Sequence, residues 1–472
     1  MNNGIIVGNS TNGGEKMKNK NVNMLSGSIT KGLLSLSIPI MIMNVMQSLF
    51  GIVDMTVLGR FADDNAVGAV GACGMLITLC TGLLIGVASG ANIIVAKRIG
   101  MGDKERVNKA AMTSLLIAVV GGLLLMAIGV IFGDKFLKMT NCPDTLLPKA
   151  VTYFKLYFLG VPILLFYNFC ASILRALGDT KRPMYYLMFG GIIKICFTFI
   201  FVSRLGMTVE GVAIATIISN TVVATLTFVT LLKAKNHITL NFKQIKFDIQ
   251  ELKEILLIGI PTGLQSSLYS LANVVITAVV NSFGEAATTG ISIANQFDGI
   301  LSLISCAPAY ATMSYVAQNF GAGNIKRIKQ TVVRSVLITV SFGASLGALS
   351  AIFSGQLSSM ISQNPEVIAF SRQKMIIISS TYFLYGISET MGGVLKGLGK
   401  PIFPTVVTFA FMFLFRFFWI YVIFPMKPDS LTFLYVVWPI GWSMAIITLL
   451  TVYIPLIRKL QISQNAIKQN LV

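Results

Sequence analysis

The sequence predicts an all-α polytopic membrane protein with twelve transmembrane helices in two six-helix lobes related by a parallel internal repeat. Three observations predict it. Of the 472 residues, 54% are hydrophobic and only 12% charged, about half the charged share of a soluble domain. Apolar runs long enough to cross a bilayer recur twelve times. Landmarks of the first six runs return in the last six at a nearly constant offset.

The first span covers residues 33–58 and carries a single formal charge, Asp54. A carboxylate at the centre of a membrane helix costs about 2.5–3.5 kcal/mol on insertion scales, so it is expected to face a cavity or a partner. Gln47 lies seven residues earlier, two turns away on nearly the same face, and Pro39 is positioned to kink the helix. Further spans follow at residues 67–95, 111–132, 150–174, 183–202 and 209–232. Residues 234–254 form the longest polar connection in the middle of the chain and divide it into halves. Six more spans follow at 255–280, 286–317, 332–353, 367–395, 402–424 and 433–456. The expected organisation is a tail at 1–31, a first lobe at 32–233, a linker at 234–254, a second lobe at 255–458 and a tail at 459–472. Residues 1–30 are rich in Asn, Lys and Gly and lack the apolar core of a signal peptide, which reads as a mobile segment.

Loop charge orients the chain. With the N-terminus inside, inner segments carry 26 Lys and Arg and outer loops eight, Arg372 and Lys374 among the latter. Three more, Lys155, Lys194 and Arg416, fall inside spans. That asymmetry places both termini in the cytoplasm. The net charge of +19 therefore serves topology; the basic residues sit between apolar spans, and no nucleic-acid partner is expected. The six cysteines show neither a disulfide framework nor metal-ligand spacing, and His237, the only histidine, lies in the polar connection. Catalysis by histidine, a bound metal and a cofactor are not expected. The chain has no GxxxxGK[ST] stretch to cradle a nucleotide phosphate, and no enzymatic constellation stands out.

The repeat is specific. AKRIGMGDKER at Ala96 returns as AQNFGAGNIKR at Ala317, and LRALGDTKRP at Leu174 returns as LKGLGKPIFP at Leu395, both 221 residues later. Ile38-Pro39 returns as Ile260-Pro261 with one residue of slip. An even number of spans per half makes the repeat parallel, about an axis along the membrane normal. The charged positions do not repeat: Asp54 falls on Ile276 or Val275, Lys194 on Phe415, Asp298 on Ile77 and Glu389 on Asn168. The lobes are thus expected to divide their labour.

GIVDMTVLGRF at residues 51–61, LRALGDTKRPM at 174–184, GVAIATIISN at 211–220, and QNFGAG and GGVLKGLGKP in the second half together resemble the multidrug and toxic compound extrusion (MATE) transporters. The resemblance covers residues 30–458. It implies a secondary active antiporter of a bacterial plasma membrane, with small organic molecules and the bilayer as partners and a monomer as the working unit. Inward flux of H+ or Na+ would drive export of amphiphilic, often cationic compounds by alternating access. Asp54 matches the family's coupling acid in the first helix and Gln47 a polar residue associated with substrate. Asn168 and Thr216 match polar positions near the ion site. Lys194 and Thr198 stand where the family usually has Asn and Asp, which leaves H+ and Na+ both open. Tyr385 stands where one sodium-linked branch carries an acid, with Glu389 one turn later. The alternative is a flippase for lipid-linked precursors of the same broad superfamily, which would be expected to line its cleft with several cations.

Two further expectations concern charge. Asp298 and Glu389 either favour cationic substrates in the second lobe or pair with neighbouring helices. Lys194 lies mid-span, where reaching an interface is awkward, and its ammonium is expected within reach of Asp54. The 22 Met and 31 Phe residues either line an adaptable pocket or face lipid.

Overall fold

The computed structural model describes residues 21–140, 142–234 and 247–469; His237 and the two ends of the chain lie outside them. The first lobe runs through α1 (Ile29–Phe61), α2 (Asp64–Met101), α3 (Lys104–Met139), α4 (Leu147–Ala176), α5 (Lys181–Phe199) and α6 (Val209–Lys233). The second contains α7 (Ile249–Asn281), α8 (Glu285–Gly321), α9 (Ile325–Ile352), the short α10 (Ser354–Ser359), α11 (Pro365–Ser380) and α12 (Tyr382–Gly397). It closes with α13 (Ile402–Val407), α14 (Phe415–Phe418), α15 (Leu431–Tyr435) and α16 (Val437–Gln469).

Among the described residues, eleven helices are long and apolar enough to cross a membrane. The remaining crossing is the pair α11 and α12, one path broken at Thr381 into two 16-residue helices. The eleventh crossing, Ile402–Met426, is also irregular. α14 is a single helical turn between π-helical stretches at Thr408–Leu414 and Trp419–Ile423. A π stretch at Ile200–Arg204 ends α5 in the corresponding place of the first lobe. Such widened turns often mark functional positions.

The duplication visible in the letters is also visible in the backbone. Gly102 and Gly323, 221 residues apart, both adopt positive φ, at 74° and 67°, and so do Gly178 and Gly399, at 81° and 75°. These are left-handed positions beyond helix ends, where a Cβ is disfavoured. The residue after each of the first two caps the next helix. Asp103 accepts from the Arg106 amide at 3.0 Å, and Asn324 accepts from the Arg327 amide at 3.1 Å. At the opposite end of α2, Asp63 caps the helix through the Ala66 amide at 2.7 Å and pairs with Lys149. The hydrogen bond from Lys149 holds its carboxyl below the usual carboxylate range.

The lobes meet tightly at one end. A Cβ on Gly86 would come within 2.3 Å of Gly263 Cα, and one on Gly90 within 2.5 Å of the Ile255 carbonyl oxygen. Gly100 and Gly321 press in the same way on the backbones of Gln318 and Lys97. Along the other half of α2, Gly74 and Gly82 meet nothing within 4 Å. Polar contacts seal the close-packed end. Ser314 Oγ donates to Asn92 Oδ1 at 2.8 Å, and Gln318 Nε2 donates to the Ala176 carbonyl at 2.6 Å. The fully buried Arg98 guanidinium reaches Glu251 at 3.0 Å and Glu254 at 2.8 Å across the lobe boundary.

Three expectations change. α7 begins at Ile249, inside the stretch read as linker, because Asp248 caps it through the Gln250 and Glu251 amides. Residues 21–28, read as part of a mobile tail, lie across both lobes. Val22 N–H donates to Gly178 O at 3.0 Å, and Arg327 Nε donates to Met24 O at 2.8 Å. Lys374, assigned to an outer loop, is buried on α11 and only 3% exposed.

Candidate functional site

Two polar constellations stand inside the apolar body, one in each lobe. In the first, α1 brings Asp54 and α5 brings Lys194 together at 2.6 Å, with side-chain exposures of 9% and 15%. Thr198, one turn along α5 from Lys194, places its hydroxyl 3.5 Å from the other carboxylate oxygen. Spacing explains why one helix supplies both groups, since residues four apart share a helix face. Tyr153 of α4 shares a buried cluster with Val57 and Leu58 of α1, the residues just beyond Asp54, and Tyr157 packs against it. The sequence had not singled them out; nothing in an apolar stretch of α4 announces which face meets α1.

The other residues associated with the first lobe do not join this cluster. Asn168 donates to the Leu164 carbonyl of its own helix at 2.8 Å, and Thr216 donates to the Val212 carbonyl at 2.8 Å. Thr216 lines a separate small cleft with Tyr157 and Asn220. Gln47 is exposed on α1.

The second lobe contains a cavity of about 580 Å³, with Thr78 of the first lobe at its border. Three charged groups line it: Asp298 from α8, Lys374 from α11 and Arg416 from α14. Lys374 Nζ lies 3.0 Å from Asp298 Oδ2 and also donates to Asn295 Oδ1. The Asp298 carboxylate is therefore already neutralised by a buried cation. Arg416 donates to the neutral amide oxygen of Asn273 at 2.7 Å and stacks 5.0 Å from the Trp438 ring centroid. Tyr382, Tyr385 and Trp442 form one aromatic cluster, with centroids 5.5–5.6 Å apart.

A smaller cavity of about 120 Å³ adjoins it, bordered by Glu389, Lys396, Cys306 and Tyr310. Tyr269 and Tyr385 border both cavities. Glu389 accepts from the Tyr269 hydroxyl at 2.9 Å and from Gln265 at 3.5 Å. Tyr385 shares a hydrogen bond with the Cys306 thiol at 3.0 Å. The structure thus brings Asp298, Tyr385 and Glu389 to one connected region. It adds Lys374, Lys396, Asn273, Trp438 and Trp442, which sequence reasoning missed. No group of His, Cys, Asp and Glu among the described residues could hold a metal ion.

Comparison with known proteins gives this arrangement a family. The MatE family profile matches residues 39–200 and again 261–422, so the second match begins 222 residues after the first. The chain is similar to the "Probable multidrug resistance protein YoeA" of Bacillus subtilis, 26% identical over 81% of this chain and 84% of that protein. It is similar to the "FAD transporter" of Shewanella oneidensis, 24% identical over 81% of this chain and 86% of that one. Two solved structures share the fold, each covering 94% of this chain with a TM-score of 0.88. One, at 21% identity, is an outward-facing multidrug resistance MATE family transporter of the MOP superfamily. The other, at 22% identity, is a MOP superfamily transporter from Pyrococcus furiosus, described as having a binding pocket of reverse polarity. With one family profile matched by each half of the chain, and the fold shared throughout, the protein belongs to the MatE family of membrane transporters.

Proposed function

We propose that the chain is a secondary active antiporter that exports amphiphilic organic compounds by alternating access, driven by inward proton flux through the first lobe. The observation that carries this reading is the Asp54–Lys194 pair at 2.6 Å. A carboxylate and an ammonium buried together are stable while both are charged. Removing the charge of one partner strands the other, at a cost of about 3–5 kcal/mol. Protonation of Asp54 breaks the pair and leaves the Lys194 ammonium in an apolar lobe. The lobe then favours a packing that hydrates or re-partners that cation, and a two-state equilibrium shifts by the difference. Lys194 also occupies electrostatically the place that a sodium ion would otherwise take beside Asp54, which favours protons as the coupling ion.

The multidrug names carried by relatives support an organic substrate, and the 580 Å³ cavity has the size of a small-molecule site. Tight packing at the 102/323 end, with open space along the other half of α2, corresponds to one of two alternating arrangements. The loop-charge asymmetry supports a cytoplasmic closed end and cytoplasmic termini, and on that reading the lobes open outward. The lobes we assign are residues 32–233 and 255–458. Gln47, Asn168, Thr198 and Thr216 are proposed to contribute as the lobes rearrange.

The test is efflux from proteoliposomes under an imposed pH gradient. Asp54→Asn is expected to abolish gradient-driven export while the protein still inserts and purifies normally. Full gradient-driven export by that variant would sink the assignment.

A further inference from the structure

The duplicated halves treat a cation at the same level of the fold in opposite ways. Lys194 of α5 corresponds by repeat to Phe415, the neighbour of Arg416 in the eleventh crossing. In the first lobe the cation reaches α1 and finds the carboxylate of Asp54. In the second, Arg416 reaches α7, the repeat of α1, and donates to the amide oxygen of Asn273. Arg416 is 3% exposed and makes no ion pair among the described residues. Lys374 and Asp298 cancel each other in the same cavity. The large cavity therefore carries one unbalanced positive charge. In the adjoining cavity, Lys396 stands with Glu389 and adds no net charge.

A second observation points the same way. Trp442 and Tyr435 line the large cavity and are 3% and 0% exposed, and their Nε1 and hydroxyl have no hydrogen-bond partner among the described residues. Buried donors left unpaired are costly and are normally satisfied. An indole N–H is a donor only, so its missing partner is an acceptor. The Asp298 Oδ1 oxygen also has no partner among the described residues and would accept one hydrogen bond from a hydroxyl or amine. Around these groups, Tyr382, Tyr385 and Trp442 offer aromatic surface.

We propose that the second-lobe cavity binds an aromatic organic anion, its negative group held by the Arg416 guanidinium and its rings packed against the Tyr382, Tyr385 and Trp442 cluster. This rests on the exporter reading, since it names the substrate class of that transporter. It reverses the preference expected from Asp298 and Glu389 alone. Both acids are engaged, Asp298 by Lys374 and Glu389 by Tyr269 and Gln265.

Two xanthene dyes of opposite charge, fluorescein and rhodamine 6G, test it by fluorescence anisotropy. The full-length protein is held in lipid nanodiscs, with empty discs as the blank. Fluorescein is expected to bind at least about tenfold more tightly than rhodamine 6G, the order of one charge-assisted hydrogen bond. Arg416→Gln should remove that advantage. Asn273→Asp, which recreates in this lobe the neutralised pair of the other, should remove it too while Arg416 stays in place. Rhodamine 6G affinity in both variants reports that the cavity still folds. Equal affinities for the two dyes, or tighter binding of rhodamine 6G, would overturn the proposal, as would an Asn273→Asp variant with undiminished preference for fluorescein. Binding is measured without any gradient, so it is separate from transport. Fluorescein bound through Arg416 but moved by no gradient in proteoliposomes would uphold the site and contradict the exporter reading.

Discussion

Lys374 shows what a single residue hides in a sequence and reveals in a fold. It lies two residues from Arg372 and near the start of an apolar run, which reads as a loop charge. In the structure it is buried, bridging Asp298 and Asn295. Removing one member of such a pair leaves the other uncompensated. Asp298→Asn should therefore lower stability by about 3–5 kcal/mol, and a second change, Lys374→Met, should recover most of that loss. Thermal unfolding of the two single variants and the double variant in nanodiscs checks this. Equal losses that simply add would show that the two groups do not interact. Asp54 and Lys194 were legible because each is an isolated charge inside an apolar run, where cost demands a partner. Asn168 and Thr216 were less so, because a helical hydroxyl or amide can turn back to its own backbone, as both do here. Trp438 and Trp442 were invisible as lining residues, since an aromatic in a membrane helix has no sequence mark for the face it presents.

At the scale of elements, the twelve crossings and the repeat were readable because apolar length and glycine-marked turns are local properties. The breaks were not. Thr381 divides the tenth crossing without a proline or glycine, and the π stretches flanking α14 carry ordinary apolar residues. These breaks lie beside the buried charges: Tyr382, just after the first break, donates its hydroxyl to the Asp298 carbonyl at 2.9 Å, and Arg416 sits on the turn between the π stretches. The α2–α7 contact offers a test at this scale. Gly90 leaves no room for a side chain against Ile255 and Gly259, so Gly90→Val should disfavour the close-packed arrangement. In a background free of native cysteines, a cysteine at position 92 should then react faster with a membrane-impermeant thiol reagent added from the side of the 102/323 loops. An unchanged labelling rate would show that this contact does not hold the lobes together.

For the whole molecule, two similar lobes have been given different chemistry on one scaffold. The first neutralises its buried cation with Asp54; the second leaves Arg416 without a counter-charge among the described residues, beside an aromatic cavity. On the proposed reading one lobe responds to a proton and the other holds a substrate; the two join at an end sealed by Arg98, Glu251 and the segment at residues 21–28. Duplication was evident in the sequence, and so was the failure of charges to repeat. The sign of the second-lobe cavity was not, because it depends on which charges meet, and Asp298 finds Lys374 only in the fold. On the proposed reading, the Asp54–Lys194 pair makes transport respond to protons. This is tested most directly in proteoliposomes containing either the parent or Lys194→Asn, with pH and sodium gradients imposed separately and organic-dye efflux followed in each. The parent should export under the pH gradient and not under the sodium gradient. Lys194→Asn should lose much of its response to the pH gradient and gain one to sodium. Identical gradient dependence in the two proteins would show that Lys194 has no part in coupling.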